Sequence, residues 1–434
     1  MKQKPIIEDA THPAAVMRRL LCILAVIALV AAACQSTPAP APAPTETPAG
    51  PTAEPTEEPT PTVTPIPPGT ILKIYSSLPL TGARASEAQS VVNAIHLAIT
   101  TQTEGGTLCN GLFKITYESL NDVASGPDYD TLREETNARK AGQDADAMAY
   151  IGPLDSGAAR VSMPVLDKAG LAMLSPGADY IGLTKPYGPS EPDSYFYMGV
   201  RNFMRLVAPQ DVQGADAASW AKALGAKSVF IIDDAEQFGH GPSDAFQRAA
   251  QQADLQVIGR NQVDLKSGNL LVLAGQAMRA DAVFYGGLDP LTAGQVLAQM
   301  RKAGATTRFI GTSAIMSTGF ITTAGSAAEG AYAVADGVAL DKLPPKGQKF
   351  VQDYQSRYNS APDSAAVYGY EAASVVLAAM GKVCLKDRTT LLSAMFHTHN
   401  FDGVLGKWSF DANGDITLPT LLHYRLQNGA WRVQ

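Results

Sequence analysis

Short apolar runs alternate with longer amphipathic stretches through most of this chain, and the alternation restarts halfway along. "ILKIYSSL" (71–78) reads as a strand and "ASEAQSVVNAIHLAITTQ" as a helix. "LFKITYESL" (112–120) is a strand by its alternation, followed by the helical "YDTLREETNARKAGQD". Strand "AMAYIG" (147–152), helix "SGAARVSMPVLDKAG" and strand "LAMLSP" continue the series. Strands separated by helices lie parallel in one sheet, with helices covering both faces. "KPYGPSEPDSYFYMGV" then breaks the rhythm with prolines, glycines and aromatics. A second series follows, from "DVQGADAASWAKALG" and "KSVFIID" through "AVFYGG", "LTAGQVLAQMRKAG" and "TRFIGT". Two series of similar size predict a two-lobed α/β protein with a cleft between the lobes. The last third returns to helix in "SAAVYGYEAASVVLAAMGK" and ends in the strands "GKWSF" and "LLHYRL". Between these two strands, "DANGD" centres on Asn413-Gly414, a hairpin signal.

The amino end is of another kind. Arg18 and Arg19 precede "LLCILAVIALVAAAC", an apolar run shorter than the roughly 20 residues a spanning helix needs. Residues 1–33 therefore read as a secretory signal. Ala31-Ala32-Ala33-Cys34 resembles the lipobox of bacterial lipoproteins, which implies lipid modification of Cys34. Ordinary secretion with cleavage nearby is the alternative. Residues 34–70 are rich in Pro, Thr, Ala and Glu with few large apolar side chains, so they form an extended tether rather than a core. At about 3 Å per residue the tether reaches up to ~100 Å from a membrane. Removing residues 1–33 takes away four basic and two acidic residues, moving the net charge from −7 to −9. An acidic domain without basic runs argues against a nucleic-acid partner. Two cysteines remain beyond the anchor, Cys109 in "GGTLCNG" and Cys384 after "VVLAAMGKV", and outside the cytoplasm they are expected to pair.

Ligands of open α/β sheets bind where strands turn into helices. Those turns here include "GPLDSG", "SPGADY", "DDAEQFG", "GGLDP" and "GTSAIMS", rich in Gly, Ser and Thr. Backbone N–H groups, hydroxyls and helix N-termini at such turns suit a small polar ligand. Catalysis finds little support. Ser156 lacks a G-x-S-x-G frame, and its neighbour Asp155 cannot replace a histidine base. Ser156 reads instead as a helix N-cap whose hydroxyl also binds ligand. His397-x-His399 has no further ligand at metal spacing except Asp402 and reads as a solvated helix end. Asp233-Asp234 is read as cleft carboxylates rather than a Mg²⁺ site. No phosphate loop or dinucleotide loop is present, so neither cofactor nor metal is expected. Tyr368 is read first as a helix-packing aromatic and second as a cleft residue.

Several stretches together resemble the type I periplasmic binding proteins of ABC importers, in particular the branched-chain amino acid group. They are "LPLTGARASEAQSVVNAIHLAI", "YIGPLDSGAARVSMPVLDKAGLAMLSPGADYIGLT", "VQGADAASWAKALGAKSVFIIDDAEQFGHG", "DAVFYGGLDPLTAGQVLAQMRKAG", "FIGTSAI", "GSAAEGAY" and "FDGVLGKWSFDANGD", spanning about residues 71 to 420. The resemblance implies two Rossmann-like lobes with parallel central sheets, joined by a hinge of three crossings near 198, 336 and 400. The first lobe would comprise 71–198 plus 337–400, and the second 199–336 plus 401–434. It implies that Ser156, Ala178 and Asp179 hold a ligand α-carboxylate, Phe238 covers the ligand, and Leu288 and Asp289 line the other wall. Where such proteins use a glutamate for the ligand ammonium, Ser313 stands here. The first-helix cleft position is Glu87. The carboxylates of Glu87, Asp179 and Asp289 would suit an amine approaching from another direction. The function implied is a monomeric extracytoplasmic lipoprotein that hands a small polar solute, such as an amino acid, amide or amine, to an ABC permease. A receptor that reports its ligand to a partner protein is the alternative.

Overall fold

The computed structural model describes residues 66–126, 129–234, 240–263 and 270–434. The expected signal, Cys34, the tether up to residue 65 and Phe238 lie outside the described residues, and the tether ends sooner than residue 70, because Ile66 packs against the core and a strand begins at Thr70.

The first sheet contains β1 (Thr70–Leu78), β2 (Thr107–Leu108), β3 (Phe113–Asn121), β4 (Ala147–Ile151), β5 (Ala172–Ser175) and β6 (Phe203–Arg205). Its order is β2-β3-β1-β4-β5-β6, parallel except for β2. Helices cover both faces, which is why β4 (AMAYI) and β5 (AMLS) read as nearly unbroken apolar runs, while β3 alternates. Within β1, Leu72, Ile74 and Leu78 enter a core with the helices Ala85–Gln102 and Ser364–Val383. Tyr75 enters the opposite core, with the helices Thr131–Gln143 and Ser156–Lys168.

The second sheet begins with β7 (Ser228–Asp234), β8 (Gln256–Val263), β9 (Ala282–Tyr285), β10 (Arg308–Thr312) and β11 (Tyr332–Asp336). A two-stranded ribbon, β12 (Phe401–Asp402) with β13 (Lys407–Trp408), follows later in the chain. Then β14 (Leu421–Gln427) and β15 (Ala430–Val433) complete the second sheet in the order β15-β14-β11-β10-β9-β7-β8. Here too the faces alternate. Phe230 and Ile232 enter one core, Val229 and Ile231 the other.

Three expectations need correction. The first crossing does not fall near 198, because β6 pairs with β5 in the first sheet. Within the proline- and aromatic-rich segment before it, Tyr195 and Phe196 are buried in the first lobe. The third crossing does not fall near 400, because Trp408, Phe410 and Ile416 are buried with the first-lobe helices. The Trp408 indole N–H donates to Glu371 Oε1 at 2.6 Å and anchors the ribbon there. The "DANGD" turn also closes no hairpin between "GKWSF" and "LLHYRL". It closes the bridge Phe410 to Ile416, and its Asp415 bridges to Arg205, while β14 pairs with β11 and β15. Turn chemistry is local, but burial against β11 chooses the partner.

Cys109 and Cys384 form a disulfide, with S–S 2.03 Å and Cα–Cα 5.9 Å. It ties the turn after β2 to the C-cap of the helix Ser364–Val383.

A polar knot fixes the C-terminal end of β1. Ser77 Oγ donates to Glu134 Oε2 at 2.5 Å, the Tyr150 hydroxyl donates to Glu134 Oε1 at 2.9 Å, and Asn137 Nδ2 donates to Ser77 Oγ at 2.9 Å. Burial pushes the Glu134 carboxyl up to about 8 from 4.5. Its folded form therefore holds a proton that the unfolded chain has released, so its contribution is greatest below about pH 4.5 and declines as pH rises through 8. Wild type is expected to show a higher Tm at pH 5 than at pH 8, with a smaller difference in Glu134→Gln. Both hydroxyl partners can turn to serve an amide. Equal pH slopes in the two proteins would remove Glu134 as the source.

Candidate ligand-binding site

Strand ends from both lobes meet at one cavity of about 740 Å³. From the first lobe it is lined by Arg84, Glu87, Asp155, Ser156, Gly177 and Asp179. The second lobe contributes Leu288, Ser313 and Met316, with Gln210 and Asp336 beside the crossings.

Ser156 is the first residue of its helix, and Asp155 holds the N-cap position. The N-cap reading of Ser156 is thus one residue off. In its actual place, Ser156 Oγ accepts from Tyr180 N at 3.0 Å and donates to Asp179 Oδ1 at 3.2 Å. The other Asp179 oxygen is reached from the second lobe. Ser313 Oγ and Gln213 Nε2 each donate to Oδ2 at 2.9 Å. Gln213 also donates to Asp336 Oδ2 at 3.0 Å and accepts from Ser313 N at 3.2 Å. Asp336 Oδ1 accepts from Ala208 N at 2.7 Å, joining the end of β11 to the segment that follows β6. Burial, reinforced by Asp179, raises the Asp336 carboxyl well above the ordinary range.

The remaining expected residues divide. Leu288 lines the cavity. Glu87 does too, with both oxygens gripped by Arg84 at 2.7 and 2.8 Å. Arg84 also reaches Asp155 Oδ1 at 3.1 Å. Tyr368 lines the cavity while 98% of its surface is covered, consistent with 2% exposure. Its hydroxyl is paired with Thr420 Oγ1 at 2.6 Å.

Two expected residues do not line the cavity. Ala178 is wholly buried beneath the cavity, its N–H donated to Ser175 Oγ at 2.8 Å, and Gly177 lines the wall instead. Asp289 caps the helix Pro290–Lys302, accepting from Leu291 N at 2.9 Å and Thr292 N at 3.2 Å, and is absent from the cavity wall.

Sequence reading missed Arg84, Gln213 and Asp336. A signal existed for two of them. Arg84 stands three residues before Glu87 at the start of a helix, and Asp336 ends a strand as the other site residues do. Gln213 lies within a helix and carried no comparable mark.

Beneath the "SPGADY" turn, Arg205 is fully buried. Its Nε meets Asp415 Oδ1 at 2.6 Å, and Nη1 donates to the carbonyls of Tyr180 at 2.6 Å and Ala178 at 3.3 Å. Nη2 donates to Thr184 Oγ1. The carbonyls on either side of Asp179 are therefore held by one side chain. Asp233 accepts from Arg260 Nε at 2.8 Å, and Asp234 from Leu288 N and Asp289 N at 2.5 and 3.0 Å. Those carboxylates brace loops. Among the described residues no group of three His, Cys, Asp or Glu side chains is set to hold a metal ion, and no helix is long and apolar enough to cross a membrane.

Two parallel-sheet lobes closing on one polar cavity, with donors and acceptors from each side, define a two-lobed solute-binding protein. The chain matches the periplasmic binding protein family model over residues 72–428 and belongs to that family. Family membership makes it a binding protein and not an enzyme. It is 26% identical to an amino acid binding protein of Pseudomonas aeruginosa over 64% of this chain and 71% of that one. It is 24% identical to Leu/Ile/Val-binding protein homolog 1 of Brucella suis, over 81% and 90%. The fold is shared with an ABC transporter substrate-binding protein of Desulfitobacterium hafniense in complex with Leu (TM-score 0.65, 20% identity, 84% and 100% covered). It is also shared with a solute-binding protein of Rhodopseudomonas palustris in complex with benzoate (TM-score 0.57, 19% identity, 84% and 95% covered).

Proposed function

We propose that this protein is the extracytoplasmic solute receptor of an ABC importer, capturing a small polar solute between its lobes and delivering it to the permease. In this reading Cys34 carries the lipid anchor, the residues after it form a tether that ends before β1, and the receptor works as a monomer. The observation that carries the reading is the cavity walled by Ser156 and Asp179 on one side and Ser313 on the other. A ligand bridging these groups favours the closed arrangement, and lobe closure rather than bond chemistry is the event a permease would recognise.

A thermal-shift screen with amino acids, short amides, urea and polyamines tests this, because a ligand that binds only the folded state raises Tm by mass action. At least one solute is expected to raise Tm in a saturable manner, and no response to any of them would count against the receptor reading. For a responding solute, Ser156→Ala is expected to weaken binding by about 1–3 kcal/mol, the usual effect of leaving a polar partner unsatisfied. Undiminished affinity in calorimetry would place Ser156 outside the contact.

A further inference from the structure

The cavity has an excess of negative groups. Carboxylates of Glu87, Asp155, Asp179 and Asp363 face it, against the guanidinium groups of Arg84 and Arg160. Both cations are engaged with the protein's own anions. Arg84 pairs with Glu87 and Asp155. Arg160 lies 3.6 Å from Glu191 Oε1 and donates to the Tyr195 hydroxyl at 2.9 Å.

Asp179 stands apart from the other carboxylates. Among the described residues the side chains bonded to its carboxylate are neutral: Ser156, Gln213 and Ser313. Two hydroxyls and an amide converging from both lobes are what a site for a ligand carboxylate would present, and here they already surround a carboxylate of the protein. A second anion entering that position would face Asp179 directly, and like-charge juxtaposition suppresses binding strongly. An ammonium entering there meets an anion it can neutralise. It also meets Ser156 and Ser313, whose hydroxyls can rotate from donating toward Asp179 to accepting from the ligand. Leu288 and Met316 supply apolar surface for the rest of such a molecule.

We propose that Asp179 makes this cleft selective for a small organic cation without a free carboxylate, its ammonium or amidinium group seated against Asp179 between Ser156 and Ser313. The proposal rests on the solute-binding reading above and names the charge class of its ligand.

Four probes on one carbon skeleton separate charge from shape: leucine, leucinamide, 3-methylbutylamine and 4-methylpentanoate. Each is titrated calorimetrically into the full chain and into Asp179→Ser. The wild-type protein is expected to bind leucinamide and the amine at least about tenfold tighter than leucine, and 4-methylpentanoate most weakly. Asp179→Ser, which puts a neutral hydroxyl in place of the carboxylate, is expected to lose about tenfold for the amine and to gain as much for leucine. Leucine binding to wild type as tightly as leucinamide overturns the proposal while leaving the receptor reading intact. A uniform change for all four probes in Asp179→Ser overturns it as well, assigning Asp179 to holding the lobes together. Silence of both proteins toward all four also overturns it, and the broader solute screen then judges the receptor reading separately.

Discussion

Arg205→Ala is expected to lower the unfolding free energy by about 3–5 kcal/mol, because it removes the hydrogen-bonded partner of the buried Asp415 carboxylate and leaves it only Lys185, 3.5 Å away. Arg205 is 0% exposed and Asp415 3%, so water cannot replace the lost contact without opening the lobe. The substitution also frees the carbonyls of Ala178 and Tyr180, which sit on either side of Asp179. Ligand binding should therefore weaken even under conditions where the variant stays folded. Urea unfolding of Arg205→Ala and of Arg205→Ala/Asp415→Asn measures the effect. The double variant is expected to recover part of the loss, since the unpaired charge is gone. A single-variant loss below about 1 kcal/mol would show that the pair contributes no more than an exposed one. The pH dependence follows from Asp415. Burial alone would raise its carboxyl, but Arg205 and Lys185 hold it below the ordinary range. A depressed carboxylate stabilises the fold above its unfolded value near pH 4, and this contribution disappears as pH falls through the folded value. The two variants should therefore converge toward wild type in strong acid.

Loss of the Cys109–Cys384 disulfide is expected to have an effect of similar size, about 3–5 kcal/mol, because the bond closes a very long loop. The two cysteines are 275 residues apart in sequence. The first lobe is built from two separate stretches, β1 to β6 and the helices and ribbon between Pro345 and Trp408. The whole second-lobe series from β7 to β11 lies between them. The bond thus joins two pieces of one core that the unfolded chain would otherwise hold far apart. Cys109→Ser/Cys384→Ser is preferable to a single replacement, which would leave a reactive thiol. A Tm in reductant unchanged from that in oxidant, together with an unchanged Tm for the double serine variant, would show that packing alone holds the pieces together.

The parallel sheets were legible because strands buried on both faces are apolar nearly throughout and helices between them are not. β1 and β7 are the clearest cases, each sending alternate side chains into two different cores. The crossings were harder to place. Aromatics and prolines between Tyr180 and Phe196 look like a linker in sequence, and only their burial reveals them as part of a lobe. Trp408 gave no sign that its partner would be Glu371, since nothing in sequence brings these two together.

Within the site, strand-end position marked the turns, and the family resemblance picked out Ser156, Asp179, Leu288 and Ser313 within them; all four line the cavity. It could not distinguish a carboxylate facing the ligand from one capping a helix, as Asp289 does, because both stand at the same turn. The one-residue difference between Gly177 and Ala178 is likewise set by which way the loop faces above Arg205. The grip of Arg84 on both Glu87 and Asp155 needs two lobe elements to meet, and spacing along the chain reports only half of it.

The divided origin of the first lobe also imposes an order in time. A ribosome releases β1 through β6 early, while the helix Ser364–Val383, which covers one face of that sheet, emerges only after the entire second series. Until then Leu72 and Ile74 have only the helix Ala85–Gln102 over them, and Cys109 has no Cys384 to meet. The amino-terminal lobe therefore cannot close its core until the helix Ser364–Val383 has emerged, and a chain halted shortly before Ser364 would leave one face of its earliest-made sheet only partly covered.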